Sequence, residues 1–251
     1  FKLVSYNIQR SQATGGHLGQ YYSLTVQVAE SDDTSRVLHF FIKRPHPPDT
    51  VTGIYTQEGG HFQKEVYIYN DIFPKILKNL DDSIVPECYL GIPGRMIVLE
   101  DLATKGFIMM DKMVPLELEY CEVVLTALAK FHAQSIIYEE TSAETIPHEF
   151  ACGLFEIWCS KEYEKSVQKY SAMVRGLIFL VELMDNFDGA AKAKFKAKIE
   201  EMAKNHSDFL LPSKTCRNVL CHGDLWANNV LFQVQADGKP DSCCFVDFQL
   251  L

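Results

Sequence analysis

The stretch His222–Asn229, with the sequence HGDLWANN, most constrains what this chain can fold into. An apolar run follows at Val230–Phe232, and a turn signal stands at Asp237-Gly238. A second apolar run, Cys243–Val246, then ends on Asp247. Two short apolar runs joined through an Asp-Gly turn predict a β-hairpin. The polar residues that flank the two runs would meet at the open end of that hairpin.

Three oxygen-bearing side chains would gather there: Asp224, Asn229 and Asp247. Oxygen ligands of this kind suit Mg²⁺, which binds few carboxylates and completes its shell with water and phosphate oxygens. An Asp that is not bound to the metal can take the proton of an attacking hydroxyl. The pattern matches the catalytic loop and metal-binding turn of phosphoryl-transfer enzymes. For the loop alone, an Asx-rich surface turn between two strands is an open alternative.

Length and charge limit the classes of binding partner that this chain can have. The chain has 251 residues, enough for one large domain or two lobes. A net charge of -9 argues against non-specific binding to nucleic acid or to anionic membranes, both of which require basic surface. No apolar run reaches transmembrane length and the N-terminus lacks a signal-peptide layout, so we expect no membrane insertion. A magnesium nucleotide needs only a local positive patch and stays compatible.

The eight cysteines show neither CxxC pairs nor zinc spacing. Several lie in apolar periodic segments, which favours buried, reduced thiols. Reduced thiols indicate a reducing compartment, and we therefore expect a cytoplasmic protein. The sequence identifies no protein partner.

The first hundred residues are predicted to be rich in β-strands. Lys2–Gln9 and Gln20–Ala29 have strand character, and the loop between them contains Gly15, Gly16 and Gly19. Glycines in such a loop could let backbone N–H groups approach phosphates closely. A plain glycine-rich hairpin turn explains the loop equally well.

A lysine and a glutamate follow in positions that could bring them together. The apolar strand Arg36–Pro45 carries Lys43 near its end, and a helix is predicted over His61–Leu77. Glu65 stands beside the apolar stripe of that helix, placed to reach the ammonium of Lys43. The alternatives are a solvated lysine and a rim glutamate that pairs with Lys64 or stays in water.

Two more strands, Val85–Leu90 and Arg95–Leu99, lead into the acidic connector Glu100-Asp101-Leu102. An apolar strand that ends in a short polar connector is typical of a junction between lobes. We place a boundary near residue 103, which divides the chain into an N-terminal nucleotide-binding lobe, 1–103, and a C-terminal catalytic lobe, 104–251.

The second part is predicted to be mostly helical. One helix starts with Pro115 as a plausible first residue and continues to about Ser135, and two or three further helices lie within 150–205. In the first part, the polar segment Asp49–Gly60 is predicted to be a plain connection.

The order of these parts resembles the protein-kinase-like fold, an α+β fold with a small β-rich N-lobe and a mainly helical C-lobe. The sequences of its motifs resemble one branch of that fold, the ecdysteroid kinase-like family. This family contains the CHK-kinase-like domain and is related to choline and aminoglycoside kinases. The resemblance covers essentially the whole chain. Four segments carry it: HGDLWANN at 222–229, VDFQ at 246–249, VLEDL at 98–102 and AKFHAQS at 129–135.

The resemblance implies a role for each polar group. Asp224 would orient and deprotonate an acceptor hydroxyl, while Asn229 and Asp247 would hold magnesium on the nucleotide phosphates. Lys43 would contact the α- and β-phosphates of ATP and be steadied by Glu65. The implied activity is an ATP- and Mg-dependent phosphotransferase that acts on a hydroxyl of a small molecule, an ecdysteroid or another lipophilic alcohol.

The remaining implied contacts concern the nucleotide. Gly15, Gly16 and Gly19 would cover its phosphates, and the backbone of Glu100–Leu102 would meet its adenine. Little covalent chemistry is then left to the protein, so positioning and charge neutralisation would supply most of the rate.

Two residues depart from the protein-kinase pattern. Gln249 follows Asp247 and Phe248 where protein kinases have glycine, so the backbone freedom of glycine is lost and a mobile turn is not expected. Trp226 stands where protein kinases carry a lysine near the transferring phosphate. An aromatic side chain there suits packing of the loop, or an apolar acceptor, better than a peptide.

The chain ends at Leu251, shortly after Asp247, and we expect a catalytic lobe truncated after its metal-binding Asp, with apolar surface exposed around Phe245–Leu251. A non-catalytic pseudokinase that serves as a nucleotide-binding scaffold is the alternative to an enzyme. A metal hydrolase built on His222, Asp224 and Asp247 is disfavoured because no second His lies at ligand spacing.

Overall fold

The computed structural model describes residues 1–11, 18–31, 34–80, 83–157 and 164–251. It is an α+β protein with an antiparallel N-terminal sheet and a mainly helical C-terminal region. Contacts divide it into two compact units: residues 1–154 with 219–251, and residues 155–218. These two units are defined by contacts, whereas the predicted lobes were defined by sequence pattern. The lobe boundary near residue 103 stays a prediction.

The larger unit begins with a five-stranded antiparallel sheet in the order β1-β2-β3-β5-β4. Its strands are β1 (Lys2–Arg10), β2 (Gln20–Ser31), β3 (Thr34–Arg44), β4 (Cys88–Ile92) and β5 (Met96–Glu100). The predicted β-rich start of the chain is confirmed. In the central strand β3, Lys43 pairs with Tyr21 of β2 on one side and with Ile97 of β5 on the other. The backbone of Lys43 is therefore fixed from both sides.

A helical segment between β3 and β4 confirms the predicted helix over 61–77. It consists of α2 (His61–Tyr67), a π-helical turn (Ile68–Ile72) and α3 (Phe73–Ile76). Pro74 has no N–H to donate to the carbonyl of residue 70, and the N–H of Phe73 instead bonds the carbonyl of Ile68. The wider turn keeps the segment continuous past the proline.

The prediction of a plain connection over 49–60 is wrong, because α1 (Val51–Glu58) lies within it. Thr50 begins this helix: its side-chain oxygen accepts a hydrogen bond from the N–H of Gly53 at 3.0 Å. The polar side chains and glycines of this segment do not form a helical apolar pattern, so the eight-residue helix was not predicted. Its start depends on this cap.

The predicted hairpin is confirmed as β7 (Val230–Val234) and β8 (Pro240–Phe245), which pair antiparallel. A short strand that the sequence did not indicate, β6 (Phe107–Met109), adds to β7 and makes a three-stranded sheet. The two sheets lie on either side of residue 103 in the sequence, joined by the connector at Glu100 and a 3₁₀ turn over Leu102–Lys105.

Two helices complete the larger unit, α4 (Leu118–Thr141) and α5 (Ile146–Glu149). The long helix α4 begins three residues after the predicted start at Pro115. It packs against β8 and buries Phe131 beside Phe73 and Phe245. Each fully buried aromatic ring of this core contributes roughly 1.5–3 kcal/mol of burial free energy.

The smaller unit contains α6 (Glu164–Glu182), α7 (Gly189–Asn205) and a 3₁₀ turn (His206–Leu210). Asp188 caps α7, since its carboxylate accepts from the N–H of Ala191 at 2.7 Å. Two helices over 150–205 agree with the sequence prediction. Across the described ranges, no helix combines the length and apolarity needed to cross a membrane.

The seven cysteines within the described ranges all carry free thiols. The prediction of burial holds for Cys243 and Cys244 and is wrong for Cys152, Cys216 and Cys221, which are exposed. Burial was predicted from the apolar residues near these three cysteines. The thiols themselves are exposed.

The expectation of exposed apolar surface over Phe245–Leu251 is wrong. Phe245, Phe248 and Leu251 are buried. Phe248 packs edge-on against Phe73 at a ring-centroid distance of 4.8 Å and beside Phe131 at 6.0 Å. Helices α3 and α4 therefore cover this segment.

Candidate active site

The centre of the site is the ammonium of Lys43, which lies between two carboxylates. Its Nζ is 2.6 Å from Oε2 of Glu65 and 2.9 Å from Oδ1 of Asp247. The side chains of Lys43 and Glu65 are 3% and 1% exposed, whereas that of Asp247 is 25% exposed. The predicted pairing of Lys43 with Glu65 is confirmed. Asp247 is the member of the three that opens to solvent.

These contacts fix the charge of Lys43. Burial alone would lower its pKa, but the carboxylates of Asp247 and Glu65 outweigh burial and hold the pKa well above its ordinary value. Burial raises the pKa of Glu65, and the ammonium of Lys43 opposes that shift. Tyr21, which lies opposite Lys43 on β2, has its pKa raised by burial to about 12 and stays a neutral phenol. No pattern in the sequence indicated this tyrosine.

The loop between Asp224 and Asn229 is closed by the amide of Asn229. Its Nδ2 donates to the carbonyl of Asp224 at 2.8 Å and to the carboxylate Oδ2 at 3.0 Å. The backbone of Asn229 accepts from the N–H of Val246 at 3.0 Å, which extends the hairpin pairing to the residue before Asp247. Asn229 is buried, while Asp224 is exposed and accessible to a reactant.

His222 connects this loop to the end of β8. Its Nε2 lies 3.0 Å from the carbonyl of Val246, and its Nδ1 lies 3.3 Å from the backbone N–H of Asp224. The first contact requires a proton on Nε2 and the second a lone pair on Nδ1, so the ring is neutral. Burial lowers the pKa of His222, in agreement with that form. His222 therefore orients the backbone of the loop that contains Asp224.

The backbone on both sides of the site takes unusual conformations. Asp247 has φ 66°, and among the described residues it is the one non-glycine residue with positive φ. Gly223 has φ 78°, and a Cβ there would lie 2.1 Å from the carbonyl oxygen of Leu250. The loop can thus approach the 247–251 turn closely only with glycine at position 223.

The turn after Asp247 reaches the same glutamate that binds Lys43. Nε2 of Gln249 donates to Oε2 of Glu65 at 3.3 Å, and the side chain of Gln249 is buried. Phe248, which stands between Asp247 and Gln249 in the sequence, packs against Tyr69 and His222. The ring centroids are 5.9 and 4.7 Å away. From the sequence, Gln249 was expected only to replace a glycine. Its contact with Glu65 was not predicted, because nothing local to residue 249 indicates a partner 184 positions away.

The remaining predicted nucleotide contacts have mixed outcomes. Gly15 and Gly16 lie outside the described residues. Gly19 is buried just before β2, where a Cβ would be 3.4 Å from Cγ of Lys43 and 3.3 Å from the carbonyl oxygen of Arg44. Glycine there brings the backbone up against β3 beside the lysine.

In the connector, Glu100 pairs with Lys105 and ends β5. Asp101 caps the following turn, with its carboxylate accepting from the N–H of Ala103 at 3.2 Å, and its carbonyl accepts from Thr104. Leu102 is buried. The connector is therefore a turn whose polar groups are largely used internally.

A cation that the sequence did not suggest lies beside the loop His222–Asn229. Nζ of Lys112 lies 5.8 Å from the centroid of the Trp226 ring, a cation–π contact. Trp226 is 45% exposed. The ring itself brings no charge, but an ammonium from the segment before α4 lies beside it.

The donor set fits magnesium. Since Nδ2 of Asn229 donates to Asp224, the amide oxygen of Asn229 is the atom left for a cation, and the carboxylate of Asp247 opens to solvent. In the described part of the chain, no three His, Cys, Asp or Glu side chains form a metal-binding group. One amide oxygen and one carboxylate leave most positions to water and phosphate oxygens, as Mg²⁺ prefers.

An antiparallel N-terminal sheet whose lysine pairs with a helix glutamate, followed by an Asp–Asn loop and a second Asp, defines the kinase-like class of proteins. The model of the ecdysteroid kinase-like family matches residues 15–251. This chain belongs to the ecdysteroid kinase-like family. A search of curated proteins finds no match to it.

Proposed function

We propose that this protein is an ATP- and magnesium-dependent phosphotransferase that acts on a hydroxyl group of a small molecule. The single observation that carries the proposal is the position of Lys43 between Glu65 and Asp247. A buried, permanently charged ammonium beside a solvent-accessible carboxylate is suited to bind a nucleotide phosphate next to a metal ion. Family membership supports the kinase-like character of the reaction.

Asp224 acts as the general base. Its side chain is exposed, so an acceptor hydroxyl can reach it, and Asn229 holds one of its oxygens at 3.0 Å. The carboxylate takes the hydroxyl proton as the acceptor oxygen bonds to the γ-phosphorus of ATP and the bond to the β-phosphate oxygen breaks, which releases ADP. Positioning by the loop supplies much of the rate in such a transfer.

Lys43 binds the α- and β-phosphates, and Glu65 keeps its ammonium in the sheet. Asn229 and Asp247 hold the metal ion. Bound magnesium supplies charge neutralisation on the β- and γ-phosphates as the transfer proceeds. Gly15, Gly16 and Gly19 cover the phosphates with backbone N–H groups.

Adenine lies against the connector after β5. The carbonyls of Asp101 and Leu102 accept hydrogen bonds within the 3₁₀ turn. The N–H of Glu100 donates to the carbonyl of Glu87 at 2.9 Å. Recognition of the base by backbone atoms is therefore assigned to the carbonyl of Glu100 and the N–H of Leu102.

The acceptor is a lipophilic alcohol, with an ecdysteroid as the example that the family description names. The half-exposed ring of Trp226 within the loop offers an apolar surface to such a molecule. A peptide acceptor is disfavoured, since its backbone polar groups would gain no partner from that ring.

The rival function is a pseudokinase that binds nucleotide without turnover. The presence of Lys43, Glu65, Asp224, Asn229 and Asp247 argues against it, because a decayed site would have lost a member of the set. Lys43 contacts Glu65 and Asp247, and Asn229 contacts Asp224. A binding assay does not separate the two functions, and turnover does.

The experiment incubates the purified protein with Mg-ATP and a mixed pool of hydroxylated steroids and other lipophilic metabolites. Mass spectrometry then searches for any compound that gains one phosphoryl group, with Asp224→Asn and chelated magnesium as controls. A product that requires both the carboxylate and the metal would support the enzyme and give the acceptor class. ATP binding without product would favour the pseudokinase, and absence of ATP binding would contradict both functions.

A further inference from the structure

Glu65 receives two donors on one oxygen atom. Oε2 lies 2.6 Å from Nζ of Lys43 and 3.3 Å from Nε2 of Gln249. Asp247, two positions before Gln249, contacts the same lysine at 2.9 Å. The turn that contains Asp247 and Gln249 therefore holds both members of the buried ion pair, one with each side chain.

The amide of Gln249 is oriented by charge. Only its N–H end can face the carboxylate of Glu65, because the oxygen end would meet like charge there. In that orientation Oε1 is buried and has no hydrogen-bond partner in the described structure. An unpartnered buried acceptor is destabilising, so this glutamine is a poor choice for filling space alone.

The neighbours of Gln249 leave its side chain little room to move. Phe248 is fully buried among aromatic rings, and Leu250 presents its carbonyl to Gly223. The N–H of Leu251 closes the turn by donating to the carbonyl of Phe248 at 3.2 Å. A turn anchored in this way holds the 2% exposed Gln249 at a fixed distance from α2.

We propose that Gln249 is a positioning residue: it holds Glu65 of α2, and through Glu65 the ammonium of Lys43, in the phosphate-binding position. The metal-binding turn thus carries its own connection to the helix. The inference rests on the proposed function, because its consequence is expressed in nucleotide binding and turnover.

A merely structural role makes a different prediction. If Gln249 only fills the core, its replacement changes activity in proportion to lost stability. If it positions Glu65, activity falls while stability stays nearly constant, since an apolar side chain removes the unpartnered Oε1 along with the donor.

The test replaces the amide by a side chain of similar shape, Gln249→Met. The matched control is Gln134→Met on α4, where another buried glutamine, 7% exposed, also has an unpartnered Oε1. We expect Gln249→Met to raise the Kd for Mg-ATP and lower kcat/KM about tenfold, the effect of one lost hydrogen bond to a charged group. Its unfolding midpoint should stay within about 3 °C of the wild type, and Gln134→Met should leave kcat/KM unchanged.

A double variant distinguishes action through Glu65 from a direct effect. In a Glu65→Gln background the charged acceptor is already gone, so adding Gln249→Met should cost less than twofold. Unchanged kinetics in Gln249→Met, an activity loss matched by a fall in unfolding midpoint, or full additivity in the double variant would each overturn the inference.

The wild-type protein separates the two proposals. Wild-type turnover with a Gln249→Met variant that behaves identically overturns the positioning role and leaves the phosphotransferase intact. Mg-ATP binding by wild type without turnover removes the phosphotransferase, and the Kd comparison then decides the positioning role alone. If wild type binds no Mg-ATP, both proposals are overturned.

Discussion

Lys43 and Asp247 lie 204 positions apart in the sequence, yet Nζ of the lysine is 2.9 Å from Oδ1 of the aspartate. The lysine comes from the central strand of the first sheet and the aspartate follows the last strand of the second. Asp247, which has positive φ, stands in the turn directly after β8. The site is therefore assembled by folding of both sheets.

Magnesium dependence tests the role of Asp247. Asp247→Asn removes the anionic metal ligand while keeping the shape of the side chain, and Asn tolerates positive φ better than most residues. We expect magnesium to strengthen ATP binding in the wild type and to lose most of that effect in the variant, as measured by titration calorimetry with and without chelator.

The control for this change is Asp237→Asn, which makes the same substitution at the exposed turn of the hairpin. It should bind Mg-ATP as the wild type does. A magnesium effect of equal size in Asp247→Asn and wild type would remove Asp247 from the metal site.

Close packing at Gly223 is the second prediction. A left-handed backbone alone costs a side chain about 1–2 kcal/mol. Gly223→Ala should lower the free energy of unfolding by more than that, because the added Cβ meets the Leu250 carbonyl. Gly238→Ala is the matched control: its φ is 86° and no atom lies within 4 Å of the added Cβ. Urea unfolding measures both variants, and equal losses would show that the loop relaxes away from the turn.

The pH dependence of stability tests the neutral state of His222. Burial lowers its pKa in the folded protein, so below the ordinary value of about 6.5 the unfolded chain binds a proton that the folded chain does not. The free energy of unfolding should therefore fall as the pH drops from 7 to 5, and less steeply in His222→Gln.

His132 also has a pKa lowered by burial, and it contributes to the slope in both proteins. The difference between wild type and variant isolates His222. Identical slopes from urea unfolding at pH 5 to 8 would mean that His222 is charged or that its pKa is unchanged on folding.

The sequence predicted the parts of the fold that have strong local patterns. Alternating and apolar runs gave the strands of the first sheet and the hairpin, and helical spacing gave α2 and α4. It missed α1, whose start depends on one capping residue, Thr50, and β6, which has three residues and exists only by pairing with β7. Both depend on interactions that no window of apolar residues reveals.

For the site, residue types and order sufficed for the Lys43–Glu65 pair, but the contacts of the 247–251 turn could not be foreseen. The expected exposure of this segment is wrong because Phe248 inserts between helices α3 and α4. The bond from Gln249 to Glu65 joins residues 184 positions apart. Such pairs are fixed by tertiary packing, and a single sequence holds no local sign of them.

The most direct test of the account compares Asp224→Asn with the wild type on the acceptor that the metabolite screen identifies. Loss of the general base should lower kcat by about 10²–10⁴-fold. The Kd for Mg-ATP should change by less than about threefold, because Lys43, Asn229 and Asp247 still hold the nucleotide and metal. Losses of equal size in kcat/KM and in ATP affinity, or a kcat that stays at the wild-type value, would contradict the assignment of Asp224 as the group that activates the acceptor.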